Sequence, residues 1–163
     1  MNSTNCVLIG FMGSGKSTIA KALCQANEAF ALDSDLLISY QENLSITEIF
    51  TTKGEAYFRE LESKFCSFVA QNFQHTIIAT GGGMPMFCDV KKMGKVFFLH
   101  LDFERIFTRL NAEEIAKRPL FKDKDSAFKL YNARLEAYKN SAHYCINANQ
   151  SVQNITQEIL SFL

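Results

Sequence analysis

Short apolar runs alternate along this chain with longer stretches of helical periodicity. Cys6-Val7-Leu8-Ile9 lies at the centre of a buried strand predicted over residues 5–10, and residues 16–27 read as the helix it feeds. Ala29-Phe30-Ala31-Leu32 is a second apolar piece that ends at Asp33-Ser34-Asp35, and the pattern continues through Leu36-Leu37-Ile38. Ser45 with Glu48 three residues on is the signature of a capping box and predicts a short helix through Phe50. Over residues 53–73, Phe58, Leu61, Phe65, Phe68 and Val69 share one stripe at helical spacing. Residues 76–79 and 95–101 read as further strands, and Asp102 is placed to cap a helix opening at Phe103. Residues 111–125 break the periodicity with a polar, exposed segment. Helical spacing returns at Phe128, Tyr131, Leu135 and Tyr138. A strand at 144–147 and a helix carrying Val152, Ile155, Ile159 and Phe162 close the chain.

Strands alternating with helices argue for an α/β fold whose parallel sheet is covered on both faces. With no internal repeat, low-complexity tract or linker, residues 1–163 are expected to form a single domain. Ligands of such sheets bind beyond the carboxyl ends of the strands. The residues following three of the predicted strands are the chemically distinctive ones: Gly10 to Ser17, Asp33-Ser34-Asp35 and Gly81-Gly82-Gly83. They are therefore expected on one edge of the sheet.

Gly10-Phe11-Met12-Gly13-Ser14-Gly15-Lys16-Ser17 reads G-x-x-x-x-G-K-[ST], a phosphate-binding loop set between a strand and a helix. Glycine lets the backbone approach an anion closely, successive N–H groups form a nest, and the helix that follows adds the positive end of its dipole. Lys16 would reach the β- and γ-phosphates, and the Ser17 hydroxyl would ligate a magnesium ion. The loop specifies a bound nucleotide and leaves open the fate of its γ-phosphate.

Composition narrows the partners. Seventeen Lys and Arg balance seventeen Asp and Glu, so no net field favours nucleic acid or a membrane surface. No apolar run approaches ~18 residues, and the N-terminus lacks a basic segment followed by an apolar stretch and cleavage site, so neither a spanning helix nor a secretory signal is expected. The five cysteines are scattered, with no C-x-x-C pair, and read as reduced, buried thiols of a cytoplasmic protein. His75, His100 and His143 form no metal-spaced cluster.

Several further residues admit two readings each. Asp33 and Asp35 either cap the following helix or divide the work of phosphoryl transfer, one supporting the metal and the other addressing the acceptor hydroxyl. Arg59, with Glu55 four residues before it and Glu62 three after, is either part of an exposed ion-pair ladder or a guanidinium fixed to grip a carboxylate. Gly81-Gly82-Gly83 exceeds what a turn needs and suggests backbone N–H groups presented to a ligand. Arg118, before Pro119, is either a solvated loop residue or a cationic lid residue over the phosphates. Arg134, between Tyr131 and Tyr138, is either an exposed arginine lying over aromatic rings or part of the site.

Taken together and in this order, the motifs resemble those of the shikimate kinase family over nearly the whole chain. They are Gly10 to Ser17, Asp33 to Asp35, the run Gly-Glu-Ala-Tyr-Phe-Arg-Glu-Leu-Glu at 54–62, Thr80 to Gly83, Arg118-Pro119-Leu120, and Arg134 with Tyr138. The resemblance implies a nucleoside-monophosphate-kinase-like three-layer α/β sandwich with a five-stranded parallel sheet and a mobile lid, here approximately residues 111–125. It implies transfer of the γ-phosphoryl group of ATP to the 3-hydroxyl of shikimate by a magnesium-dependent, monomeric, cytoplasmic enzyme. Carried over by motif, Gly13, Ser14, Gly15, Lys16, Ser17 and Thr18 would bind the phosphates, Ser17 the metal, and Asp33 the metal through water. Asp35 would hold the shikimate hydroxyl and serve as the base. Arg59, Gly82 and Arg134 would bind shikimate, with Phe50 and Phe58 walling its pocket. Lys16 and Arg118 would stabilise the transferring group, and Arg109 is the candidate for adenine contact. Two features depart from the family pattern. The segment between Gly83 and Val96 is short, which implies a truncated helix there, and Glu136 stands where the family often has proline. Two other readings compete: a gluconate kinase on the same scaffold, and a nucleotide-dependent binding module that phosphorylates no metabolite.

Overall fold

The computed structural model describes residues 4–110 and 123–163. Five parallel strands, β1 (Cys6–Ile9), β2 (Ala31–Asp33), β3 (Ile77–Ala79), β4 (Lys95–His100) and β5 (Tyr144–Asn147), form one sheet in the order β2-β3-β1-β4-β5. All four residues of β1 are buried, as are all three of β3. A strand apolar on both faces needs cover on both, which is why these central strands read as continuous apolar runs.

Helices supply that cover. Among the described residues they are α1 (Lys16–Asn27), α2 (Ser34–Glu42), α3 (Ile46–Thr52), α4 (Gly54–Asn72), α5 (Phe103–Arg109), α6 (Lys124–Ser141) and α7 (Val152–Phe162). Helix α1 packs on α7, and α6 lies against β4. The capping box opening α3 is formed: Ser45 Oγ accepts from the Glu48 N–H, and the Glu48 carboxylate accepts from the Ser45 N–H at 2.7 Å. Between β3 and β4 two short 3₁₀ turns, Met84–Met86 and Val90–Met93, replace a full helix, as the short segment implied. Helix α6 runs unbroken through Glu136, so the absent proline leaves Arg134 and Tyr138 one turn apart on a regular helix.

Three local expectations need correction. Phe68, at helical spacing with the apolar stripe of α4, is exposed and pairs edge-on with Phe73, because it lies at the border of the arc that Phe58, Leu61, Phe65 and Val69 define. Asp102 occupies the N-cap position of α5 without making a side-chain cap bond. Cys145 is exposed rather than buried, since β5 is an edge strand; Cys6 and Cys66 are buried. Residues 111–122 of the expected lid lie outside the described residues, and residues 123–125 form the capped start of α6, where Asp123 Oδ1 accepts from the Ser126 N–H.

The register places the three functional segments level with one another. Leu8 and Asp33 both pair across with Ala79, so Gly10, Asp33 and Thr80 leave the sheet at nearly the same height. Thr80 ties its neighbours together, donating from both N–H and Oγ1 to the Leu8 carbonyl. Everything distinctive thus emerges at the carboxyl edge, beside the central strand.

Candidate active site

The loop between β1 and α1 is built for close backbone approach. A Cβ on Gly10 would lie 2.8 Å from the Leu99 carbonyl oxygen, and Gly15 caps α1 at φ 97°, a conformation costly for any other residue. The buried Ser14 Oγ has no hydrogen-bond partner among the described residues, an arrangement that favours a ligand entering the loop. Lys16 curls back over the loop, its Nζ donating to the carbonyls of Gly10 at 2.8 Å and Phe11 at 3.0 Å. A cavity of about 500 Å³ opens from this loop towards Asp33, Asp35 and Gly82 on one side and Arg109 and Gln150 on the other.

The two aspartates separate in role. Asp33 does two things at once: Oδ1 accepts from the N–H groups of Asp35 and Leu36, capping α2, while Oδ2 accepts from the Ser17 hydroxyl at 3.0 Å. Asp35 makes no cap. Its carboxylate turns inwards, where Ser34 Oγ donates weakly to Oδ1 at 3.5 Å, and the same Ser34 oxygen accepts from the Gly81 N–H at 2.7 Å. Burial, then the charge of Asp33, raises the proton affinity of Asp35; Lys16 and Arg59 oppose the rise.

Gly81, Gly82 and Gly83 form the floor on which the remaining charged groups rest. A Cβ on Gly81 would lie 2.5 Å from Asp35 Oδ1 and 2.9 Å from Glu62 Oε1. One on Gly83 would meet Arg59 Nη1 at 2.5 Å. Gly82 faces Met12 N of the phosphate loop, and its carbonyl accepts from Arg134 Nη1 at 3.2 Å and from the Tyr138 hydroxyl. The triple glycine is therefore a packing requirement for groups arriving from α2, α4 and α6. Gly81 spends its N–H on Ser34; the N–H groups of Gly82 and Gly83 have no acceptor among the described residues.

Arg59 is held from several directions. Glu55 accepts from Nε at 3.1 Å and Nη2 at 2.7 Å, and Glu62 accepts from Nη1. The ring of Phe87 stacks on its guanidinium at 4.4 Å, with Phe58 at 5.3 Å and Phe50 at 5.7 Å. The Glu62 side chain is fully buried, and its Oε1 has no hydrogen-bond partner among the described residues. Burial pushes its pKa up to about 7, against the pull of Arg59. Arg134 is buried too, so the reading of an exposed arginine over aromatic rings is replaced by an anchored one.

Sequence reasoning thus assembled Gly13, Ser14, Gly15, Lys16, Ser17, Asp33, Asp35, Arg59, Gly82 and Arg134 around one edge, and Thr18 follows on α1 beside the same cavity. Arg109 lines the far end of that cavity. Arg118 lies outside the described residues. Two neighbours add to the set. In sequence Glu62 reads only as a partner of Arg59, and Phe87 carries no periodic signal; its place four residues past the glycine run is the one clue there. Burial pushes the thiols of Cys6 and Cys88 up to about 12, which keeps them protonated across the neutral range.

A phosphate-binding loop facing the Asp35 carboxylate, with Arg59 and Arg134 anchored at the glycine run on the same sheet edge, defines a phosphate-loop kinase acting on a small acceptor. The comparisons with known proteins specify which. The family model for shikimate kinase matches residues 12–163. Shikimate kinase of Helicobacter hepaticus is 44% identical over 156 residues, 96% of this chain and 93% of the relative. That of Clostridium botulinum is 35% identical over 158 residues, 93% of this chain and 92% of the relative. The solved shikimate kinase of Acinetobacter baumannii in complex with shikimate superposes with a TM-score of 0.88 at 29% identity, covering 99% of this chain and 93% of that one. The chain belongs to the shikimate kinase family.

Proposed function

We propose that the protein transfers the γ-phosphoryl group of ATP to the 3-hydroxyl of shikimate, giving shikimate 3-phosphate and ADP. One observation carries the reading: the Asp35 carboxylate stands over Gly81 and lines the phosphate-loop cavity, near enough to both Lys16 and Arg59 to feel the charge of each. A hydroxyl bonded to Asp35 faces a nucleotide in the loop, and a carboxylate on the same acceptor meets the two arginines. Shikimate has that pairing of groups.

Gly13 to Thr18 hold the phosphates, and Lys16 exchanges its two carbonyl acceptors for phosphate oxygens. Asp35 orients the acceptor hydroxyl and takes its proton as the oxygen attacks the γ-phosphorus in line and ADP leaves. Its raised proton affinity suits that task. Arg59 and Arg134 grip the acceptor carboxylate, Gly82 supplies backbone contact, and Phe50 and Phe58 wall the pocket. Lys16 and Arg118 neutralise charge developing on the transferred group. Arg109 borders the adenine.

The donor chemistry fits a magnesium ion, because the Ser17 hydroxyl and Asp33 Oδ2 are hard oxygens 3.0 Å apart beside the loop. Ser17 would hold it directly and Asp33 through water. When bound, the metal neutralises β- and γ-phosphate charge.

The protein works as a single-domain, cytoplasmic monomer on these small molecules, without nucleic acid or membrane partners. Its balanced charge, 17 Lys and Arg against 17 Asp and Glu, offers no net field to draw a polyanion or a charged membrane surface. Coupled measurement of ADP release with ATP and magnesium, with and without shikimate, tests the function. Shikimate-dependent release is expected; none from folded protein, or equal release with gluconate, overturns it.

A further inference from the structure

We infer that Tyr138 is a positioning residue for acceptor binding, acting through the peptide that joins Gly82 to Gly83. The inference deepens the proposed reaction and rests on it. Tyr138 is fully buried, and its ring stacks on Phe98 of β4 at 5.2 Å and 26°. Its hydroxyl donates to the Gly82 carbonyl oxygen, which also accepts from Arg134 Nη1. Two donors from one face of α6 therefore hold a single carbonyl.

That carbonyl belongs to the same planar unit as the Gly83 N–H. In a trans peptide the two point in opposite directions, so holding the Gly82 oxygen towards α6 fixes the Gly83 N–H away from it. Three glycines in succession would otherwise be the least restrained backbone in the site. Gly83 is also the residue on which the Arg59 guanidinium rests, and its N–H has no acceptor among the described residues. The Tyr138 hydroxyl thus sets an unspent backbone donor beside Arg59 and fixes the carbonyl that anchors Arg134. Both arginine contacts of the acceptor meet at one peptide plane. Burial pushes the hydroxyl pKa up to about 12, so it remains a donor throughout the neutral range.

A purely structural role would be to satisfy a buried carbonyl, but Arg134 already does that. Tyr138→Phe separates the two, since it keeps the ring stack on Phe98 and removes only the hydroxyl. The shikimate KM is expected to rise about five- to tenfold, the usual worth of one hydrogen bond, while the ATP KM stays within about twofold. The thermal shift induced by shikimate should shrink while that induced by a non-hydrolysable ATP analogue is retained, a readout that holds even if turnover is lost. An unchanged shikimate KM, or parallel loss towards both substrates, overturns the inference. Wild-type protein without shikimate-dependent ADP release fails the reaction itself; a fully active wild type beside an unaffected variant fails Tyr138 alone.

Discussion

The Arg59 guanidinium occupies the space that a side chain at Gly83 would need: a Cβ there would lie 2.5 Å from Nη1 and 2.9 Å from Cζ. Gly83 itself has φ −98°, so alanine brings no backbone strain. The guanidinium must move instead, and Glu55, Glu62 and Phe87 hold it where it is. Gly83→Ala is expected to fold and to displace Arg59. Losing charge-assisted contacts worth about 1.5–3 kcal/mol raises the shikimate KM by roughly ten- to a hundredfold and leaves the ATP KM unchanged. Steady-state kinetics with each substrate varied checks this. A wild-type shikimate KM would place Arg59 outside the acceptor pocket.

Asp35→Asn keeps the shape of the carboxyl group and removes its charge and basicity. Its kcat should fall by about 10²–10⁴, the usual range for a positioned acid or base. Nucleotide affinity should barely change, because the loop contacts come from Gly13 to Thr18 and not from Asp35. Equilibrium binding of an ATP analogue beside single-turnover assays separates the two. If affinity for the nucleotide collapses instead, Asp35 belongs to the donor half of the site.

Much of this arrangement was legible in the sequence because local chemistry constrains it. The glycine-rich loop after a buried strand admits few other structures, and Ser45 with Glu48 announced their cap. Other features depend on partners far along the chain. Nothing near Arg134 indicates burial; its acceptor is the Gly82 carbonyl, 52 residues away. Asp33 and Asp35 look alike in sequence, and they diverge only because α2 starts between them and turns one carboxylate to its own N-terminus and the other to Gly81. Glu62 reads as one rung of an exposed ladder until α4 packs its face towards the glycine floor.

Among the described residues Phe87 is the ring nearest to the Arg59 guanidinium, yet it is 54% exposed. A side chain so placed contributes little to the core and spends its contact on the arginine. Phe87→Ala should leave the melting temperature close to that of the wild type. An exposed cation–π contact is worth about 0.5–1 kcal/mol, so the shikimate KM should rise roughly two- to fivefold. Thermal melts beside shikimate titrations test both halves. A large drop in stability with no change in KM would assign Phe87 to packing instead.

Glu62 gives the protein a pH dependence opposite in sign to that of its surface carboxylates. Burial, with Asp35 adding to it, lifts its pKa from an ordinary 4.5 to about 7, despite the opposing pull of Arg59 and Arg134. Across that window the folded protein keeps a proton that the unfolded chain releases. The Glu62 contribution to stability therefore falls as pH rises from about 4.5 to about 7 and levels off above it. Surface carboxylates such as Glu48, lowered by hydrogen bonds from Ser45, act the other way and lose their contribution as pH falls. Glu62→Gln retains a hydrogen-bond acceptor for Arg59 but cannot ionise. The difference in urea-unfolding free energy, wild type minus variant, should therefore decline across this window and be flat at higher pH. Measuring it at fixed ionic strength isolates the one group. A difference independent of pH would mean that Glu62 ionises in the folded protein as it does in water.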